Sequence, residues 1–211
     1  MLRAAVAVGV VICGAAQAQR YEVSALAGML RLGGAPLGSL YETGGKDDDS
    51  RLRGRSGYGV RLTLNTRGYF GHEVGYIYSR ATFQTKLRTT DGKTTTVTSA
   101  EAKVIVRQVF YDFLMYSMPA GERFRPFIAA GAQAHQYGAP AFADYDIGRS
   151  RNYGVNYGGG LKIRLFPHAL LRFDVRHSIG GKPYNLTYED VTKTGGMLRQ
   201  LEASFGVGIS F

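Results

Sequence analysis

Apolar residues recur at every second position through eight stretches of this chain, with polar or small residues between them. Within 20–32, Tyr21, Val23, Ala25, Ala27 and Met29 alternate with Glu22, Ser24 and Gly28. Within 56–65, Tyr58, Val60, Leu62 and Leu64 alternate with Gly59, Arg61 and Thr63, and within 69–83, Phe70, His72, Val74, Tyr76 and Tyr78 alternate with Gly71, Glu73 and Gly75. Further strands are predicted over 98–116, 123–137, 151–166, 170–179 and 198–211. The last sets Leu201, Ala203, Phe205, Val207, Ile209 and Phe211 against Glu202, Ser204, Gly206, Gly208 and Ser210. A period of two belongs to a β-strand with one apolar face. The faces are blurred in the fourth and fifth stretches, by Val104-Ile105-Val106 and Ala129-Ala130.

The connections alternate in length. Strands two to three, four to five and six to seven are joined by the short segments 65–68, 117–122 and 166–169, rich in turn residues. The segments 33–55, 84–97, 138–150 and 180–197 are long and loaded with Gly, Asp, Lys, Thr and Arg. Tight turns at one end and long polar loops at the other fit an outer-membrane barrel, with turns in the periplasm and loops outside the cell. An even strand number brings both ends of the chain to the periplasmic side.

Residue size decides which face points inward. A soluble barrel turns its apolar face in, and a membrane barrel turns it out. Here the polar face is dense in small residues, including Gly28, Gly59, Gly71, Gly75, Gly158, Gly160, Gly206 and Gly208, which suits a crowded eight-stranded interior. The other face carries Tyr, Phe, Leu, Val and Ile, which suits lipid, and Phe70, Tyr111, Phe113 and Phe211 fall where interfacial girdles belong. The predicted fold is therefore all-β: an eight-stranded antiparallel up-and-down transmembrane β-barrel with short periplasmic turns and long extracellular loops. After residue 18 no apolar run approaches the roughly 18 to 20 residues of a spanning helix.

The N-terminus agrees with this destination. Arg3, the apolar run 4–16 and the small residues around Ala16-Gln17-Ala18 predict a secretory signal peptide over 1–18, leaving the barrel domain as 19–211. The only cysteine, Cys13, lies in that leader behind the bulky Ile12, so neither lipidation nor thiol chemistry is expected of the mature chain. Lys and Arg number 26 against 16 Asp and Glu, a net +10. Such a balance suits a polyanion; with a leader for export, the phosphates of outer-membrane lipopolysaccharide are expected rather than nucleic acid.

Three segments resemble the OmpA-like family of small outer-membrane barrels. "YFGHEVGYIY" (69–78) is similar to that family's third strand, with an inward Glu between two inward glycines, and "GGLKIRLFPHALLRFDV" (159–175) to its sixth strand, periplasmic turn and seventh strand. The ending "FGVGISF" resembles the C-terminal signal read by the outer-membrane assembly machinery, which assigns that role to Phe205, Val207, Ile209 and Phe211. The resemblance implies an integral outer-membrane protein, monomeric, with a structural or surface-interaction role or a minor small-solute pore. It has no counterpart here to the peptidoglycan-binding domain of longer relatives, so cell-wall anchoring is not expected.

Strand parity directs Arg61, Glu73, Asp112, Lys162, Arg164, Arg172, Asp174 and Arg176 into the barrel. Charges in a low-dielectric interior must be paired. Their expected arrangement is an ion-pair network that plugs the lumen, with a gated path for small ions as the sharper use. Outside, Arg51, Arg53 and Arg55 in the loop "KDDDSRLRGR" are candidates for lipopolysaccharide phosphates, and the Thr-rich 85–99 for a hairpin tip extending the sheet beyond the membrane.

Two other classes stay open, a lipid A-modifying outer-membrane enzyme and a soluble periplasmic lipocalin-like carrier. His177 and Ser178 prompt the first. A lipid A deacylase of that architecture uses a His-x-Ser pair on one face, whereas here the two are adjacent and a regular strand sends them to opposite faces. His72 reads as a lipid-facing residue near the periplasmic interface without a second ligand at suitable spacing. No catalytic residue, metal or cofactor is expected.

Overall fold

In a computed structural model of the chain, the structure describes residues 21–34, 36–39, 49–66, 68–92, 94–142, 145–184, 186 and 196–211; the predicted leader lies outside them. The barrel strands are β1 (Tyr21–Gly34), β2 (Ser50–Thr66), β3 (Phe70–Asp91), β4 (Thr94–Tyr116), β5 (Phe124–Tyr137), β6 (Ser150–Phe166), β7 (Ala169–Gly181) and β8 (Met197–Ser210). Each pairs antiparallel with its sequence neighbours, and β1 pairs with β8 to close the ring. A two-residue hairpin, Ala141–Phe142 with Tyr145–Asp146, decorates the β5–β6 connection. Phe211 N donates to Tyr21 O at 2.9 Å and Tyr21 N to Phe211 O at 3.3 Å. Phe211 thus extends the closing seam through its backbone, satisfying groups that lipid could not.

Within the lower part of the barrel the alternation sorts side chains as expected of a membrane barrel. Val74, Tyr76, Val109, Tyr111, Phe173, Val175, Phe205 and Val207 stand outward and exposed, while Glu73 and Arg172 between them are 0% exposed. Three inward aromatic rings, Phe110, Tyr116 and Phe127, fill space left by glycines. Gly75 lies directly opposite Phe110, and a β-carbon there would collide with the ring. Gly160 lies opposite Phe127, where a β-carbon would come 2.7 Å from Cζ.

Higher up, the faces exchange character. On β3 the inward residues change from Glu73 and Gly75 to Ala81 and Phe83, while the outward ones change from Val74 and Tyr76 to Arg80 and Gln84. On β4, Val104 and Val106 are buried inside while Lys103 and Arg107 are exposed. A membrane crossing takes about 9 to 11 residues per strand; β3 and β4 have 22 and 23. More than half of each stands clear of the lipid, and that part follows the soluble rule of apolar in, polar out. The blurred Val104-Ile105-Val106 marks this changeover.

Two expected connections are corrected. Residues 84–97 are not a long loop but the hairpin tip expected of the Thr-rich 85–99: β3 and β4 continue to a tight turn at Gly92, which has φ +59, with Thr89 opposite Thr96 and Thr90 opposite Thr95. Threonine is polar enough to read as loop, but its β-branch favours an extended strand. Likewise β2 starts at Ser50, so Arg51, Arg53 and Arg55 lie on a strand and not in a loop. Leu52 points inward between the exposed Arg51 and Arg53, and a bulge between Gly54 and Gly57 shifts the register below them.

Candidate functional site: the filled lumen

The interior is built in storeys. Nearest the periplasm, Glu22 is held by Lys162 Nζ and by Asn65 Nδ2 at 2.8 Å, with Arg125 Nη1 at 3.8 Å. Lys162 Nζ also donates to the Tyr116 hydroxyl at 2.8 Å, and the Arg125 guanidinium lies over the Tyr116 ring at 3.7 Å. Tyr116 is thus pinned between two cations.

The central storey is a compact ionic cluster. Arg61 Nη1 reaches Glu73 Oε1 at 3.2 Å and Asp174 Oδ1 at 3.0 Å, and its Nη2 reaches Glu202 at 3.2 Å. Arg172 donates to Asp174 through Nε at 2.6 Å and Nη2 at 2.9 Å, and to Glu73 through Nη2 at 2.9 Å and through Nη1. Arg176 spans Asp112 at 3.1 Å, Asp174 at 3.3 Å and Glu73 at 3.4 Å. Thr63 donates a further hydrogen bond to Glu73 at 2.8 Å. Forked guanidiniums suit such sharing because each presents several donors in fixed geometry. The rings of Phe110 and Phe127 lie 5.1 and 5.0 Å from the guanidinium carbons of Arg61 and Arg172. Among the described residues, the buried basic side chains of the strands (Arg61, Arg125, Lys162, Arg172, Arg176) match the acidic ones (Glu22, Glu73, Asp112, Asp174, Glu202) in number, and the buried Asp49 just ahead of β2 lies 4.0 Å from Lys86 Nζ. Among the described residues the filled lumen is therefore balanced in formal charge.

Above the ions runs a chain of amides: Gln200 donates to Gln108 at 3.0 Å and Gln108 to Gln133 at 2.9 Å. Above these sits an apolar cap. Leu52, Phe83, Val104, Val106, Tyr137 and Leu198 come from the wall, and Leu37, Ile147 and Tyr184 from the connections. Backbone bonds from Leu37 N to Ser50 O at 3.2 Å and from Leu186 N to Leu37 O at 3.0 Å hold two connections across the mouth, and the Tyr184 hydroxyl donates to Gly138 O. Burial pushes the Tyr184 phenol above its ordinary value, so it stays a donor.

Of the sequence-derived lumen residues, Arg61, Glu73, Asp112, Arg172, Asp174 and Arg176 meet in one cluster and Lys162 in the storey below. Arg164 does not enter it. The strand is irregular between Arg164 and Phe166, and Arg164 sits half-buried at the periplasmic rim, where Nη1 donates to Gly121 O. Glu22 and Glu202 belong to the interior and were legible from the same parity; Arg125 was hidden by the blurred β5. His177 faces outward, its ring 5.1 Å from that of Tyr157, while Ser178 is buried inside. His72 Nδ1 lies 2.7 Å from the Tyr111 hydroxyl on the outer face. Among the described residues no group of three or more His, Cys, Asp or Glu is placed to hold a metal.

The model of the outer membrane protein beta-barrel domain family matches residues 4–211. No curated protein matches the chain. Among solved structures it is similar to Neisserial surface protein A (14% identity, 93% of this chain and 100% of that one, TM-score 0.55). It is also similar to OprG of Pseudomonas aeruginosa (13%, 92% and 96%, TM-score 0.61) and the attachment invasion locus protein Ail of Yersinia pestis (10%, 90% and 97%, TM-score 0.51). At these identities the likeness is one of fold.

Proposed function

The chain belongs to the outer membrane protein beta-barrel domain family, and on that premise we propose that this outer-membrane protein works as a closed surface barrel, holding an extended β-structure above the membrane without conducting through its lumen. The observation that carries the reading is the continuous filling of the interior, from the Glu22–Lys162 pair through the central ions to the apolar cap. A small-solute path would have to part the ionic cluster and also wet the cap. Catalysis has no place in the reading, because His177 and Ser178 lie on opposite faces and the interior carboxylates are engaged by guanidiniums or lysine. The same reading includes cleavage of a leader after Ala18, assembly guided by the outward row Phe205, Val207, Ile209 and Phe211, and a monomer in contact with outer-membrane lipid.

Planar-bilayer recording of the refolded protein tests it. A baseline without discrete openings is expected across moderate voltages. Steady ion-sized steps from the wild-type protein would contradict the closed lumen.

A further inference from the structure

The lipid-facing rows share an ending. Moving outward, Met29 gives way to Arg31 on β1, Tyr58 to Arg55 and Arg53 on β2, Tyr78 to Arg80 on β3, Val109 to Arg107 on β4, Tyr153 to Arg151 on β6 and Leu201 to Arg199 on β8. All these arginines are exposed, and none takes part in an ion pair among the described residues. Below this level no outward strand position carries a carboxylate; Glu101, bonded to Gln84 at 2.6 Å, lies higher on the extension. Six strands of eight thus contribute to an arginine collar at the outer edge of the apolar belt.

Between β1 and β8 the collar borders an open groove. This groove, of about 900 Å³, is lined by Arg31, Gly33, Gly34, His177, Arg199 and Leu201, among others. Gly33 is paired with Arg199 and Arg31 with Leu201, so the two arginines are diagonal neighbours on one face, and Leu201 is paired in turn with His177. Diagonal positions are about 7 to 8 Å apart, within reach of long side chains converging on one group. Gly33 leaves the space between them open: a β-carbon there would meet nothing within 4 Å. Beneath, Leu201, Ala203, Phe205 and Val207 continue as an exposed, mainly apolar track.

We propose that this groove binds the headgroup of a phosphorylated, acylated glycolipid of the outer leaflet, of lipid A chemistry. Arg31 and Arg199 hold one phosphomonoester, and the acyl chains lie along the β8 track. Two guanidiniums match a phosphomonoester, which carries about −1.5 to −2 charges near pH 7, better than the single charge of a phosphodiester phospholipid, and forked donors favour phosphate oxygens. Arg51, Arg53 and Arg55 belong to the same collar on β2 and its extension. The proposal needs the membrane orientation of the barrel and is independent of whether the lumen conducts.

The test is native mass spectrometry of the full barrel in detergent, titrated with bis-phosphorylated lipid A, with its dephosphorylated form, with phosphatidylglycerol and with inorganic phosphate. The wild-type protein should retain the phosphorylated glycolipid in preference to the other three. Arg31→Gln with Arg199→Gln should weaken retention by about tenfold or more, about 1.4 kcal/mol, while Arg123→Gln at the periplasmic rim leaves it unchanged. Folding of each variant is read from heat-modifiable migration. If the double glutamine variant does not fold, Arg31→Lys with Arg199→Lys carries the comparison, with a several-fold loss expected because the fork is gone. Unchanged retention in a folded double variant, equal binding of the dephosphorylated glycolipid or phosphatidylglycerol, or full competition by inorganic phosphate would each overturn the proposal.

Discussion

Glu73 shows how far a single side chain is committed inside this barrel. It is 0% exposed and accepts from Thr63 while facing Arg61, Arg172 and Arg176. Removing one member of a buried ionic set leaves the others uncompensated, at a cost of roughly 3 to 5 kcal/mol. Glu73→Ala should therefore lower the urea midpoint of the barrel in lipid vesicles by an amount in that range. Arg164→Ala, at the rim, should stay within about 0.5 kcal/mol of wild type. Equal midpoints for Glu73→Ala and wild type would mean that Glu73 faces no packed ionic interior. The residue scale also shows where parity alone falls short. It directs Arg164 inward, and Arg164 does keep that register opposite the buried Leu170, but it lies at the periplasmic rim below the ionic storeys, where its Nη1 donates to Gly121 O. It also reaches Glu22 and Glu202, which complete the charge balance once every inward position is counted and not only the conspicuous ones.

At the scale of elements, the strands and the three short turns were legible because membrane crossing imposes a strict period of two. The upper halves of β3 and β4 were legible only in part, as the Thr-rich hairpin tip over 85–99 inside a segment that also read as a long connection: beyond the lipid the outward face becomes polar, so a strand there resembles a loop in composition. The hairpin over 87–97 packs none of its described side chains into the cap, whose members come from lower on the wall and from the connections. Deleting 87–97 and rejoining β3 to β4 with a two-residue turn should leave heat-modifiable migration and outer-membrane levels as in wild type. Deleting Phe211 should abolish assembly, since it removes both the terminal aromatic and the backbone pair with Tyr21. Normal surface levels of the Phe211-deleted chain, or loss of the barrel on trimming the hairpin, would reverse the ranking of these two ends.

At the scale of the whole molecule, one sheet obeys two solvents. Its lower part is a membrane barrel filled by paired ions, and its upper part is a water-exposed barrel filled by apolar side chains, with arginines collecting where the two meet. Among the described residues the lumen's buried charges balance, and exposed arginines gather on the outer face where the two parts meet. The most direct measurement is nitroxide scanning along β4 in lipid vesicles, one introduced cysteine at a time, comparing collisions with oxygen and with a water-soluble nickel chelate. The mature sequence lends itself to this, because Cys13 falls in the predicted leader. Labels at 109, 111 and 113 should meet oxygen, labels at 103 and 107 should meet nickel, and labels at 104, 106, 108 and 112 should meet neither. Nickel reaching 108 and 112 would show a wet lumen, and nickel reaching 109, 111 and 113 would show that the apolar face does not lie in lipid at all.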